Sequence, residues 1–320
     1  MKAAVYYENG EPNVFRYEDV PDPPCQTDGV LIRVEAVSIE GGDVLNRWHG
    51  ALSSRPHIVG YQAAGEIVEV GADVRDLKVG QKVVTVGFNG SHASLRAVPA
   101  RTAWPIPNGA DLRLAAAVPV PFGTAHDCLF EFGHLKSGET VLVQAGASGV
   151  GVAAIQLAKR AGARVLATAS SDDRLEKLKS IGLDNGINYK RDNLVALVMK
   201  ITDNQGVNLV VDPVGGSTLE SSIASLGYRG RVSMVGAAGR ETARIDVSNL
   251  MAGNRSLTGV FLGAEIATDR VHNLIQKLVD EVASGALKVL VDKIFPLKDA
   301  AEAHAYIESR KAVGRVLLIP

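Results

Sequence analysis

Along the first 110 residues, apolar positions come in short runs cut by turn formers. Residues 29–34, 65–71 and 80–87 are such runs, each opening on a glycine. Runs of this length between turn residues predict strands, and their spacing predicts a small, strongly bent antiparallel barrel or sandwich. From about residue 112 the texture changes, and alanine-rich helical stretches alternate with short β-branched runs. The pattern predicts a strand at 140–144, a helix at 150–160 stopped by Gly162, a strand at 164–169, and a helix at 172–181 followed by Gly182. Further strands are predicted at 208–212 and 231–236, with 256–262 as a sixth. Alternation of this kind predicts a doubly wound parallel sheet with helices on both faces. The tail then reads as an amphipathic helix at 268–284, a strand at 289–295, a helix at 297–308 and a strand at 315–319. That piece has no place in a six-stranded α/β sheet. It is therefore predicted to return to the β-rich first part, with the α/β unit inserted between, dividing the chain into 1–121 with 265–320, and 122–264.

Composition changes this picture little. A chain of 320 residues exceeds the size at which one core stops growing, in line with two domains. The net charge of -1 supplies no bulk field for nucleic acid, and 5% aromatic residues offer few stacking platforms. The opening residues carry no long apolar core of a signal peptide, and runs such as 115–121 are too short for a bilayer, so a cytoplasmic protein without membrane partners is expected. Cys25 and Cys128 form no CxxC pair and no metal-type spacing.

The chemistry enters at residues 144–151, Gln-Ala-Gly-Ala-Ser-Gly-Val-Gly, directly after a predicted strand and opening a predicted helix. Small residues there let the backbone approach a pyrophosphate, whose charge rests on the amides at the helix N-terminus. Ser148, Gly149, Val150 and Gly151 are the candidate cradle of a Rossmann-type site. An NAD site places an acid at the end of the second strand. Here that strand ends in Thr-Ala-Ser-Ser at 168–171, and Arg174 follows within reach of a 2′-phosphate, which favours NADPH. Asp172 and Asp173 oppose that choice. They also suit the first turn of a helix capped by Ser171.

Taken with the stretches at 60–71, 123–125, 144–159, 212–216, 230–232, 308–310 and 314–317, the chain resembles the zinc-free quinone oxidoreductases of the medium-chain dehydrogenase/reductase superfamily, a group that includes zeta-crystallin. The resemblance implies a GroES-like catalytic domain made of both chain ends, a Rossmann domain between them, and NADPH in the cleft. It implies that Ser170, Arg174, Tyr189 and Arg310 hold the 2′-phosphate and that Thr124, Gly236 and Phe261 line the nicotinamide. Zinc-bearing relatives use a cysteine near the strand end at 36–39, a His-Glu pair after position 60 and a later cysteine. This chain has Glu40, Tyr61 and Gln62 there, and no cysteine after Cys128, so no metal is expected.

Without a Lewis acid, the site is expected to work by positioning an acceptor against the nicotinamide. Quinones suit this, and α,β-unsaturated aldehydes or ketones are the alternative. Glu40, Asp43 and His92 are the candidate proton-handling residues. Glu40 and Leu45 depart from the family pattern, and Asp43 equally suits a structural carboxylate bonded to backbone or to Arg47. His126 and Tyr61 rank below His92, and His304 reads as packing. A homodimer is expected through pairing of a terminal Rossmann strand. A reading from another class is an NADPH-holding scaffold, redox sensor or RNA-binding member without turnover.

Overall fold

A computed structural model of the protein describes residues 1–242 and 244–320. The chain divides into two compact units, Met1–Gly123 with Ala264–Pro320, and Thr124–Gly263.

The second unit is organised by a six-stranded sheet, in the order Asn185–Asn188, Arg164–Ala169, Thr140–Val143, Val207–Asp212, Leu226–Met234, Ser256–Gly259. Every neighbouring pair is parallel. Parallel strands need a crossover between them, and the helices Gly149–Arg160, Asp172–Lys179, Leu194–Ile201 and Ser217–Ala224 supply it. The central strands are buried along their length, as a sheet covered on both faces requires, with Leu142, Leu166, Ile187, Val210 and Val232 in one core. The order reverses between Thr140–Val143 and Val207–Asp212, so the turn after residue 143 opens at the switch point where such sheets take ligands.

The first unit has a seven-stranded, bent sheet. Its path runs Val291–Pro296, Arg315–Ile319, Gly29–Ser38, Gln62–Val70, Lys82–Val86, Ala103–Pro105, and Leu95–Pro99 adds onto Gly29–Ser38. Pairing is antiparallel except between Val291–Pro296 and Arg315–Ile319. Leu317 pairs with Ser38 and Leu318 with Val37, which stitches the chain's end to its beginning. The helix Asp269–Ala283 belongs here too. Thr268 caps it, accepting from Val271 N at 3.3 Å, and Val271, Ile275, Leu278, Val279 and Val282 form its buried stripe. Trp104, fully buried, donates to His272 O at 2.9 Å and ties that helix to the N-terminal segment.

Local structure departs from or adds to the expectations at several places. The strand expected at 231–236 starts earlier, at Leu226, running through Arg229 with φ 59 and Gly230, whose irregular backbone hides the strand pattern. The strand expected at 256–262 stops at Gly259, and Leu262–Ala264 is a 3-10 turn. The apolar run at 115–121 feeds a helix, Pro119–His126, that widens into a π-helical turn, Asp127–Glu131. Ser171 sits at the cap position of Asp172–Lys179 with extended backbone, but its side chain makes no capping bond. Among the described residues no helix is long and apolar enough to cross a membrane.

Candidate functional site

In the second unit the glycine-rich turn is held from below by a buried polar network. Gln144 donates to Ser222 Oγ at 3.0 Å and accepts from Thr168 Oγ1 at 2.8 Å, and Ser222 donates to Asp212 at 2.8 Å. The other Asp212 oxygen accepts from the amides of Val214 and Gly215 at 2.8 and 2.9 Å. Each member is satisfied, so the network orients three strand ends together. Above it, Ala145 N donates to Thr168 Oγ1 at 3.0 Å and Gly146 N to Thr168 O at 2.7 Å. Ala145 takes φ 49, a left-handed conformation that costs a residue bearing a Cβ and persists because both neighbours are pinned.

The helix Gly149–Arg160 starts one residue before the expected position, with Ser148 as its cap accepting from Gly151 N at 3.1 Å. Gly151 has to be glycine: a Cβ there would lie 2.4 Å from Ala145 O and 2.6 Å from Gly146 O, inside backbone that cannot yield. The result is a tight turn feeding the positive end of a helix dipole, the arrangement that takes a phosphate or diphosphate.

Ser170, Arg174 and Tyr189 come together beside this turn. Ser170 follows the strand Arg164–Ala169, Arg174 donates to Ser170 Oγ, and Tyr189 N donates to Ala169 O at 3.1 Å, leaving the tyrosine half exposed. Asp172, which weighed against NADPH in the sequence, is drawn away. Its carboxylate accepts from Asn188 Nδ2 at 3.2 Å and Arg191 Nη1 at 2.6 Å. Arg191, chiefly through its side-chain bond, holds Asp172 below the usual carboxylate range. Of the remaining residues in this unit, Thr124 is buried, Phe261 is exposed, and a Cβ at Gly236 would lie 2.6 Å from Pro213 O. Arg310 lies in the first unit, just beyond the helix Ala300–Glu308, with φ 55.

In the first unit Glu40 and Asp43 open the helix Gly41–His49. Asp43 is fully buried and accepts from Glu40 N at 2.8 Å and Tyr61 N at 3.1 Å, one amide to each oxygen. Burial pushes its carboxyl up to about 8, against those bonds. Glu40 is bound by Arg315 and by Gln62 Nε2, and Gln62 Oε1 accepts from Val120 N at 2.9 Å. Arg315 also donates to Ser38 Oγ, at 3.0 Å from Nε and 2.8 Å from Nη2, and to Ile39 O. Desolvation raises Glu40 to about 7 although Arg315 pulls the other way. Arg47 donates to Gly10 O at 2.7 Å and pairs with Glu308 at 2.5 Å, while the backbone amides supply the bonds expected of a structural carboxylate at Asp43.

All three candidate proton-handling side chains are buried and held by protein partners. Glu40 and Asp43 are buried and occupied. His92 has no exposed surface; its Nε2 meets His304 Nε2 at 3.0 Å and its Nδ1 lies 3.2 Å from Ser91 Oγ, with Phe15 stacked against it. Burial, with Arg96 nearby, lowers His92 to about 3, which favours the neutral imidazole near neutral pH. His304 is its buried partner. Gln62 stood out in the sequence only as a departure from the zinc-bearing pattern, and the pairing of Arg315 with Glu40, 275 residues away, had no local signal.

A six-stranded parallel sheet with a capped, glycine-rich turn at its switch point, joined to a unit built from both chain ends, defines a class of two-unit dinucleotide-binding proteins. Residues 26–108 match the alcohol dehydrogenase GroES-like domain and residues 149–281 the zinc-binding dehydrogenase family. The chain is similar to quinone oxidoreductase-like protein 2 of Bos taurus, 32% identical over 328 residues, covering 99% of this chain and 92% of that one. It is 29% identical to a 2-haloacrylate reductase of a Burkholderia species, covering 100% and 99%. A mycobacterial protein solved in complex with NADPH superimposes with a TM-score of 0.95 at 33% identity, covering 100% of both chains. The chain belongs to the quinone-oxidoreductase-like branch of the medium-chain dehydrogenase/reductase superfamily.

The second family description names zinc, and the residues present do not fit it. The Glu40 carboxylate is taken by Arg315 and Gln62, and the Tyr61 hydroxyl accepts from Asn46 at 3.1 Å. Among the described residues no three His, Cys, Asp or Glu side chains gather into a set that could hold a metal. A buried guanidinium supplies the positive charge at this strand end.

Proposed function

We propose that the protein is an NADPH-dependent oxidoreductase that delivers hydride to a quinone without a metal ion. The observation that carries the cofactor choice is the end of the strand Arg164–Ala169. Ser170 and Arg174 stand in contact there, beside Tyr189, while Asp172 is committed to Asn188 and Arg191. A planar guanidinium with a hydroxyl and a phenol suits a phosphate dianion, whereas an NAD site would want a free carboxylate in that place. In this reading Ser148, Gly149, Val150 and Gly151 receive the diphosphate, and Thr124, Gly236 and Phe261 border the nicotinamide. Bound there, NADPH supplies the hydride. The chain's own contribution is to fix the turn through the Gln144 network and to hold the strand end at Glu40 rigid through Arg315. With Glu40, Asp43 and His92 all buried and engaged, the proton that completes a quinol comes from solvent.

Steady-state oxidation of NADPH against a quinone panel tests the proposal. An activated-alkene panel run beside it tests the second reading, reduction of a carbon–carbon double bond, which the Burkholderia relative's name supports. Turnover with alkenes alone transfers the assignment to that reading. NADPH binding with no oxidation in either panel sinks both and leaves a nucleotide-holding scaffold. A homodimer is part of the proposal, because Ser256–Gly259 is the terminal strand of the sheet among the described residues and can pair with a second copy; a monomeric mass in solution refutes that part.

A further inference from the structure

The turn that follows the strand Asn185–Asn188 carries three charged residues in a row, Lys190, Arg191 and Asp192. Arg191 bridges two carboxylates. Its Nη1 meets Asp172 Oδ2 at 2.6 Å, and its Nε meets Asp192 Oδ1 at 2.8 Å. Both acids are anchored from the other side as well. Asn188 donates from its side chain to Asp172 at 3.2 Å and from its backbone to Asp192 at 2.9 Å. The turn itself is set by Asn188 O, which accepts from Arg191 N at 2.9 Å and Asp192 N at 2.8 Å. The guanidinium is therefore placed, although most of its surface is exposed.

An exposed ion pair of this kind contributes little to folding, so fold stability is a weak reason for building it. Its position gives a better one. Asp172 lies two residues beyond Ser170 and two before Arg174, and Arg191 lies two beyond Tyr189. The local charge consists of Asp172, Asp173 and Asp192 against Arg174, Lys190 and Arg191. Removing Arg191 leaves the carboxylates in excess beside a pocket that has to accept a dianion. It also frees Asp172, at the first turn of its helix, to take ribose hydroxyls.

We propose that Arg191 is a specificity-determining residue for the nucleotide: by holding Asp172 and Asp192 it keeps the pocket of Ser170, Arg174 and Tyr189 selective for a 2′-phosphate over a free ribose. It touches its two acids and acts on the nucleotide through them, so it is a positioning residue. The inference rests on the NADPH reading above.

The test measures dissociation constants of NADPH and NADH by nucleotide fluorescence at low ionic strength, for the full-length wild type and three variants, with melting temperature as a folding control. In Arg191→Ala the preference for NADPH falls by about five- to tenfold, the scale of one unit charge acting on a dianion a side chain away in water. Most of that change is weaker NADPH binding. Arg191→Lys keeps at least half of the preference on a logarithmic scale. Adding Asp172→Asn to Arg191→Ala restores it, which loss of structure alone would not do. A wild type that prefers NADPH but whose Arg191→Ala variant stays within twofold, or is not rescued by Asp172→Asn, overturns this inference alone. A wild type with no preference for NADPH overturns the cofactor reading, and this inference with it.

Discussion

At the residue scale, two side chains have their role dictated by what surrounds them. Gly151 is one. With two carbonyl oxygens closer than 3 Å to any Cβ, Gly151→Ala has to open the turn after the central strand. Nucleotide binding is expected to fall at least tenfold, together with a loss of about 1–3 kcal/mol in stability; calorimetric titration and a denaturant melt read the two separately. Arg315 is the other. Arg315→Met leaves the Glu40 carboxylate buried without its cation and is expected to cost about 3–5 kcal/mol, while Glu40→Gln with Arg315→Met recovers most of the loss. A double variant no more stable than the single one would show that the two side chains are not energetically coupled.

At the scale of elements, the buried titratable groups pull stability in opposite directions with pH. His92 sits near 3 and His304 well below its ordinary value of 6.5, both chiefly through desolvation. Below pH 6.5 the unfolded chain takes up protons that the folded pair refuses, so their contribution is complete above that value and is lost as the pH drops toward 3. Around them stand Arg96, Arg47, Phe15 and Ser91, and none of these offers a negative charge to hold an imidazolium. Glu40 and Asp43 act the other way. Their folded values, near 7 and 8, lie above the unfolded ones, so stability falls as the pH rises from about 4 to about 8. Replacing His92 and His304 together by leucine is expected to flatten the acid side of the stability profile by up to about 1.4 kcal/mol per pH unit per proton, and to leave the alkaline side unchanged. Urea titrations at a series of pH values check both sides. A similar division separates what sequence reveals from what it hides. The strand Arg164–Ala169 and the helix that opens at residue 149 were legible because period, turn glycines and a cap all agree. The strand Leu226–Met234 was half hidden because Gly227, Arg229 and Gly230 break its pattern. The glycine-rich turn is legible for the same local reasons, whereas the surroundings of His92 are not. Only the fold reveals that its ring faces His304, 212 positions away.

At the scale of the whole molecule, the donor set around Glu40 makes metal removal uninformative for the enzyme. Prolonged treatment with a strong chelator is expected to leave turnover within about twofold of the untreated protein, since among the described residues no ligand set gathers that could hold an ion. A chelator-sensitive activity restored by zinc would contradict the assignment of Arg315 as the resident positive charge. The last strand carries a different consequence, one of time. The edge of Gly29–Ser38 that receives Leu317 and Leu318, and the carboxylate that receives Arg315, are made early; the arginine follows 275 residues later. On a ribosome adding about 5–20 residues per second, that strand edge waits roughly 15–55 s with an unmatched acid beside it, while all six strands of the inserted unit emerge in the interval. The nucleotide-binding unit is thus ready before the unit that encloses it in sequence. Loss of the strand Arg315–Ile319 therefore leaves the Val37–Ser38 end of that edge unpaired and the Glu40 carboxylate without its cation.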